Sequence, residues 1–184
     1  MKTPLLTQST KDGFRIWTFD QPRSSANVLG VKAFDALERE LDLLENKEVP
    51  VSGLLIRSAK PGMFVAGADL KEFRDHNAKT LGDMVERGQH VFKRLTALSF
   101  PSVCLIDGVC LGGGYELALA CDYRIASSGK KTKIGLPEVQ LGLLPAWGGC
   151  TRLPRLIGIT GAITAITSGK AFPARKALAL GMID

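Results

Sequence analysis

The chain has 184 residues, 45% of them hydrophobic and 23% charged, which suits one soluble globular domain with a sizeable core. No apolar run approaches the ~20 residues of a membrane span, and the opening MKTPLLTQSTKDGF lacks the apolar region of a signal peptide. Twenty-four Lys and Arg against eighteen Asp and Glu leave a net charge of +6, yet no basic run interleaves with aromatics. Nucleic acid is therefore not an expected partner; the excess suits a small phosphorylated ligand, or solubility alone.

In chain order, Phe14, Ile16, Trp17 and Phe19 predict a first strand over Phe14–Phe19, closed by Gln21-Pro22 and Ser24-Ser25. A helix follows from Lys32 to Glu45, because Phe34, Leu37, Leu41 and Leu44 share one face. Val51 to Ile56 is a second strand, and Lys60-Pro61-Gly62 a turn. Phe64-Val65 leads through Ala66-Gly67-Ala68 to Asp69, an expected N-cap for a short helix through Phe73. Leu81 to Leu98 is a longer helix with Met84, Val91, Phe92, Leu95 and Leu98 inward.

The stretch from Pro101 to Ala126 organises the rest. Val103–Ile106 reads as a buried strand, Asp107 to Leu111 as a turn and a small apolar link, and Gly112-Gly113-Gly114 as the entry to a short buried helix. Tyr123, Ile125 and Ala126 form another strand. Glycines let a backbone turn tightly and be approached closely. A helix start concentrates free N–H groups that suit a developing negative charge. Glu116, in that first turn, is either an acid favoured by the helix dipole or a catalytic carboxylate beside an oxyanion site. Beyond it, Lys133–Gly135 is a short strand stopped by Leu136-Pro137, with Glu138 next. Pro145 to Gly149 is an irregular loop, and helices are expected over Thr151–Gly158, Ala162–Ser168 and Ala174–Leu180. Recurring strand–strand–helix pieces argue α/β.

Cys104, Cys110, Cys121 and Cys150 form no CxxC pair, and three lie in apolar segments, so reduced thiols and a cytoplasmic setting are expected. His76 and His90 have no ligand spacing with them, so no metal is expected. The chain lacks GxGxxG, a P-loop, GxSxG and HExxH. With two histidines, acid–base work would fall to carboxylates.

Three stretches carry a resemblance: FVAGADLKEF (Phe64–Phe73), IDGVCLGGGYELALACDYRIA (Ile106–Ala126) and IGLPEVQLGLLPAWGGCTRLPRLIG (Ile134–Gly158). From Phe14 to Asp184 the chain resembles the crotonase, or enoyl-CoA hydratase/isomerase, superfamily, and most of all the N-terminal hydratase part of multifunctional fatty-acid β-oxidation alpha subunits. The resemblance implies an α/β spiral of strand–strand–helix turns with two roughly perpendicular sheets, and a pocket for an acyl-CoA thioester over residues 1–184. Ala68 and Gly113 match the positions whose N–H groups form the oxyanion hole. Glu116 matches the carboxylate assigned mainly to water, and Glu138 the one assigned mainly to the α-carbon proton. Ala26, Ala66, Gly67, Ala68, Asp69, Leu70, Gly112 and Gly113 match substrate-contacting segments.

For other residues two readings stand side by side. Asp69 fits a helix cap better than a catalytic group. Lys71 could meet a CoA phosphate or simply face solvent. Trp147 fits a pocket wall or the core. The family's PGxGGT becomes Pro145-Ala146-Trp147-Gly148-Gly149-Cys150 here, and alanine at 146 would be strained if that position needs positive φ. Family members also continue past the point corresponding to Asp184 with helices that complete the acyl pocket and form trimers, so the expectation is the N-terminal part of a longer protein, trimeric only with that remainder. No separate cofactor is implied, since coenzyme A is part of the substrate. In the full complex a thiolase subunit is the expected partner. The implied reaction is hydration, with Δ3–Δ2 isomerisation as an added activity. Isomerisation alone, and a non-catalytic binding or scaffold role, are the rivals.

Overall fold

The computed structural model describes residues 3–74 and 77–184; His76, set aside above as a metal ligand, lies outside them. Two sheets alternate along the chain. The first contains β1 (Leu5–Ser9), β2 (Phe14–Phe19), β3 (Gly53–Ser58), β5 (Ser102–Ile106) and β7 (Tyr123–Ala126), in the order β1-β2-β3-β5-β7. The second contains β4 (Met63–Val65), β6 (Val109–Leu111), β8 (Lys133–Gly135) and β9 (Phe172–Pro173), in the order β4-β6-β8-β9. β1 and β9 are antiparallel edges, and every other pairing is parallel. Three times the chain runs from a strand of the first sheet straight into one of the second: β3 to β4, β5 to β6 and β7 to β8. This is the expected spiral of strand–strand–helix turns.

The helices close each turn. α1 (Val31–Glu45) buries Phe34, Leu37, Leu41 and Leu44 as their spacing predicts. α2 (Leu70–Arg74) is one short turn. α3 (Ala78–Thr96) turns Met84, Val91, Phe92 and Leu95 inward. Arg87 grips Asp35 and Glu38, and seven residues on Arg94 grips Asp42 and Glu45. Both ladders ascend together, so α1 and α3 run parallel, as successive turns of one spiral must. α4 (Gly113–Leu119) is wholly buried. α5 (Gly149–Ile157), α6 (Ile159–Ser168) and α7 (Ala174–Ala179) follow a 3₁₀ turn, Glu138–Leu141. The end of the chain is tied in: Tyr115 Oη donates to the Met182 carbonyl at 2.8 Å, and Arg124 pairs with Asp184 at 2.6 Å.

Four strands, β1, β4, β6 and β9, escaped the sequence reading. Val109–Leu111, taken as a link, is β6; three residues are too few to display a period of two. Leu5–Ser9 is an edge strand with only Leu5 buried, so it carries no alternation. Val51–Ile56 is displaced to Gly53–Ser58, and α5 and α6 begin two and three residues earlier than expected, at Gly149 and Ile159. Among the described residues no helix is long and apolar enough to cross a membrane.

Candidate active site

The second sheet positions the site. β4, β6 and β8 are adjacent and parallel, so their carboxyl ends lie side by side. Out of those three ends come Ala66-Gly67-Ala68, Gly112-Gly113 and Glu138. Ligands of parallel sheets gather at such ends because the following loops and helix starts turn their N–H groups there.

The first loop is held by buried Asn27. Its Nδ2 donates to the carbonyls of Phe19 and Phe64 and to Ser58 Oγ, and its Oδ1 accepts from Gln21 N–H at 2.9 Å. Its own carbonyl accepts from Ala66 N–H at 2.9 Å. Leu29 then pairs across Ala68: Leu29 N–H donates to the Gly67 carbonyl and Asp69 N–H to the Leu29 carbonyl. In a parallel bridge of this kind the bracketed residue turns its own N–H the other way. Ala68 N–H therefore faces away from Leu29. Gly67, at φ +110°, lies so close to the next loop that a Cβ there would stand 3.7 Å from Gly113 N.

Gly112, at φ +54°, makes the turn into α4 and donates to the Gly135 carbonyl at 2.9 Å. Gly113 opens the helix, where N–H groups have no intrahelical partner. Among the described residues neither Ala68 N–H nor Gly113 N–H has a hydrogen-bond acceptor. Gly113 does start a helix, as expected; Ala68 stands two residues before α2.

Glu116 is 2% exposed. One oxygen, Oε1, accepts from Trp147 N–H and Gly149 N–H, each at 2.8 Å. Gly149 is the first residue of α5, so the carboxylate also caps that helix. Burial pushes its pKa up, and the charge of Glu138 adds to the rise. The two N–H groups and Arg152 oppose it, and the result is about 7. Both oxygens of Glu138 are buried and accept from no other residue; burial raises its pKa, and its own backbone N–H works against the rise. Its turn is fixed by Leu143 N–H donating to the Glu138 carbonyl and by Gln140 Nε2 donating to the Gly169 carbonyl at 2.7 Å. A Cβ on Gly112 would stand 3.3 Å from Glu138 Oε1, so the two loops touch at this glycine.

A cavity of about 180 Å³ joins these groups. Ala66, Gly67, Ala68, Leu70, Gly112, Gly113, Glu116 and Glu138 line it; Ala26 and Asp69 do not. Ala26 sits one residue before Asn27, in the segment that props the loop. Asp69 Oδ1 accepts from Lys71 N–H at 3.1 Å, the capping contact expected of it. Lys71 is exposed and lies away from the cavity.

Trp147 is core and wall at once. Its indole packs edge-on against Phe34 and Phe92, and a Cβ on either Gly88 or Gly113 would overlap it. Ala146 adopts no positive φ, so the alanine is unstrained. Val85, Leu141, Leu143 and Leu144 add apolar wall that the sequence reading had not assigned. Buried Asn27 and exposed Gln140 were also missed, for nothing local marks an amide that works across ~30 positions.

A desolvated cleft lined by two residues with unpaired N–H donors and by two carboxyl groups of raised pKa can stabilise an oxyanion while protons move nearby. Comparison with known proteins agrees with that chemistry. Residues 10–184 match the family model described as enoyl-CoA hydratase/isomerase. The chain is similar to the fatty acid oxidation complex subunit alpha of Aliivibrio fischeri, with 47% identity over 178 residues, and to that of Vibrio cholerae, with 44% over 169. Those matches take in 95% and 90% of this chain but 26% and 23% of the relatives, so it spans about a quarter of their length. Its fold is similar to crystal structures of enoyl-CoA hydratase from Bacillus anthracis (TM-score 0.91, 31% identity, 98% of this chain and 68% of that one) and Geobacillus kaustophilus (0.92, 26%, 100% and 67%).

Proposed function

The chain belongs to the enoyl-CoA hydratase/isomerase family, and on that footing we propose that it adds water across the 2,3-double bond of an enoyl-CoA thioester in fatty-acid β-oxidation. The observation that carries this reading is the pair Glu116 and Glu138, both desolvated, in one cavity with the free N–H groups of Ala68 and Gly113.

The thioester oxygen accepts from Ala68 N–H and Gly113 N–H. Ionised Glu116 takes a proton from water as the water oxygen bonds to C3, and the double-bond electrons move onto the thioester as an enolate. The two donors stabilise that charge, a contribution of roughly 3–4 kcal/mol per donor in comparable sites. Protonated Glu138 then delivers its proton to C2. The net change is H on C2 and OH on C3, and proton exchange with solvent restores the pair. The raised pKa of both groups supports a working state with one proton between them.

No cofactor enters this scheme; coenzyme A arrives with the substrate. Isomerisation from Δ3 to Δ2 is a second activity of the same site, favoured by Glu138, whose two oxygens accept from no other residue and suit a carboxylate that carries a proton between carbons. Relatives named as subunits of a complex support assembly with a thiolase subunit, and three buried free thiols, Cys104, Cys110 and Cys121, support a reducing, cytoplasmic setting. Crotonyl-CoA incubated with the chain in deuterated water tests the reading. Appearance of 3-hydroxybutyryl-CoA carrying deuterium at C2 is expected; binding of crotonyl-CoA without conversion would leave a non-catalytic binding protein.

A further inference from the structure

We propose that Arg152 is a positioning residue for Glu116: its guanidinium fixes the loop whose two N–H groups hold that carboxylate, and places a positive charge behind it. The inference rests on Glu116 as the group that takes the proton from water.

The loop is Trp147-Gly148-Gly149. Its first and last residues donate to Glu116 Oε1. Between them Gly148 has φ +117°, and a Cβ there would overlap Arg152 Nη1, so the guanidinium lies directly on this glycine. Nη1 donates to the Trp147 carbonyl at 3.0 Å. Nη2 donates to the Phe92 carbonyl at 3.2 Å and approaches Thr96 Oγ1 at 3.4 Å, both on α3. One side chain thus ties the loop to the helix behind the cavity.

The charge matters as well as the bonds. Arg15, Arg87, Arg94 and Arg124 each meet a carboxylate, whereas among the described residues no carboxylate forms an ion pair with Arg152. A half-buried cation that donates only to neutral acceptors is costly unless a nearby anion uses its field. That anion is Glu116, and each group favours the charged form of the other. The other groups in reach act less directly. Arg155 on α5 opposes the charge of Arg152, and Cys121, just past α4, is a thiol that would support it only as a thiolate. Glu138 opposes the charge of Glu116, and Cys150 feels both carboxylates.

The test is the titration of Glu116, read by carbon-13 NMR of glutamate δ-carbons and assigned by subtracting the spectrum of Glu116→Gln. Arg152→Gln should raise the midpoint by about one unit, tenfold in the ionised-to-protonated ratio. Arg152→Lys should return it to within ~0.3 unit, since lysine keeps the charge but cannot span both carbonyls. Arg155→Gln, which removes an exposed charge one turn away, should leave it in place. An unmoved midpoint in Arg152→Gln, or an equal rise in Arg155→Gln, would overturn the proposal. If Arg152→Gln fails to fold, Arg152→Lys decides: a wild-type midpoint agrees, and a rise of about a unit contradicts. The NMR reading does not need turnover, so it judges Arg152 even if the hydratase reading fails. In the hydration assay the same variants should shift the acid limb of kcat/KM rather than lower every pH by one factor.

Discussion

Gly149 N–H donates to Glu116 Oε1 at 2.8 Å, so the first residue of α5 caps its helix with a carboxylate rooted in the first turn of α4. The contact joins a structural and a chemical function in one atom, and it has a thermodynamic consequence. The pKa of Glu116 is raised from the ordinary carboxylate value to about 7. The folded state therefore binds its proton more tightly than the unfolded state. The stability this contributes is complete below ~4.5 and is lost as pH rises to ~7, by as much as ~3 kcal/mol. Glu116→Gln keeps the acceptor oxygen and removes the charge, so it should be more stable than the wild type above pH ~7 and lack most of this slope. Urea denaturation at several pH values measures it; identical slopes in both proteins would contradict it.

Hydration should depend on pH in the matching sense. Ionised Glu116 is required, so kcat/KM should fall on the acid side, and Glu138 must be protonated, so activity should also fall on the alkaline side. The two limbs belong to the coupled pair. Glu116→Gln should abolish the acid limb in what activity remains. A pH profile with that limb unchanged would remove Glu116 from the water-activating role.

The indole of Trp147 fills the space between Gly88 and Gly113, and a side chain on either glycine would collide with it. Gly88→Ala is thus expected to press Trp147 toward the oxyanion loop from the far side of the cavity wall. Overpacking of this kind costs ~1–3 kcal/mol. Denaturation should show that loss, and kcat should fall more than crotonyl-CoA binding. Wild-type stability together with wild-type kcat would show that the contact relaxes freely.

Asn27 supplies the only side-chain donor that reaches both the Phe19 and Phe64 carbonyls among the described residues. Asn27→Leu should strand the Phe64 carbonyl and Gln21 N–H, while the Phe19 carbonyl keeps Ala59 N–H, at a cost of ~2–4 kcal/mol, and loosen Ala66–Ala68. Hydrogen exchange at Ala66 N–H reports the second effect. Unchanged protection there would mean that the bridge from Leu29 holds the loop unaided.

How far the sequence could be read follows from where each signal lies. The α1 face was legible because Phe34, Leu37, Leu41 and Leu44 repeat within one helix, and β5 because a short apolar run follows a proline. Gly112-Gly113 and Glu116 announced themselves as glycines and an acid inside an apolar segment. Glu138 had only Pro137 and a motif to mark it. What could not be read was the register between distant turns. Three-residue strands β4, β6 and β8 hold the site together, yet none is long enough to show a period. Nor does any local pattern tell that Trp147 N–H would reach Glu116 across 31 positions. The concern over Ala146 was also local, and the observed backbone removes it because the positive φ falls on Gly148 instead.

The most direct test of the central claim follows the loss of enoyl-thioester absorbance with crotonyl-CoA in three proteins, with ligand binding measured alongside. The account predicts hydration by the wild type, losses of at least ~100-fold in Glu116→Gln and in Glu138→Gln, and CoA-ester binding largely kept in both. Near-normal turnover by both variants would contradict it, because the two desolvated carboxyl groups would then have no part in the chemistry.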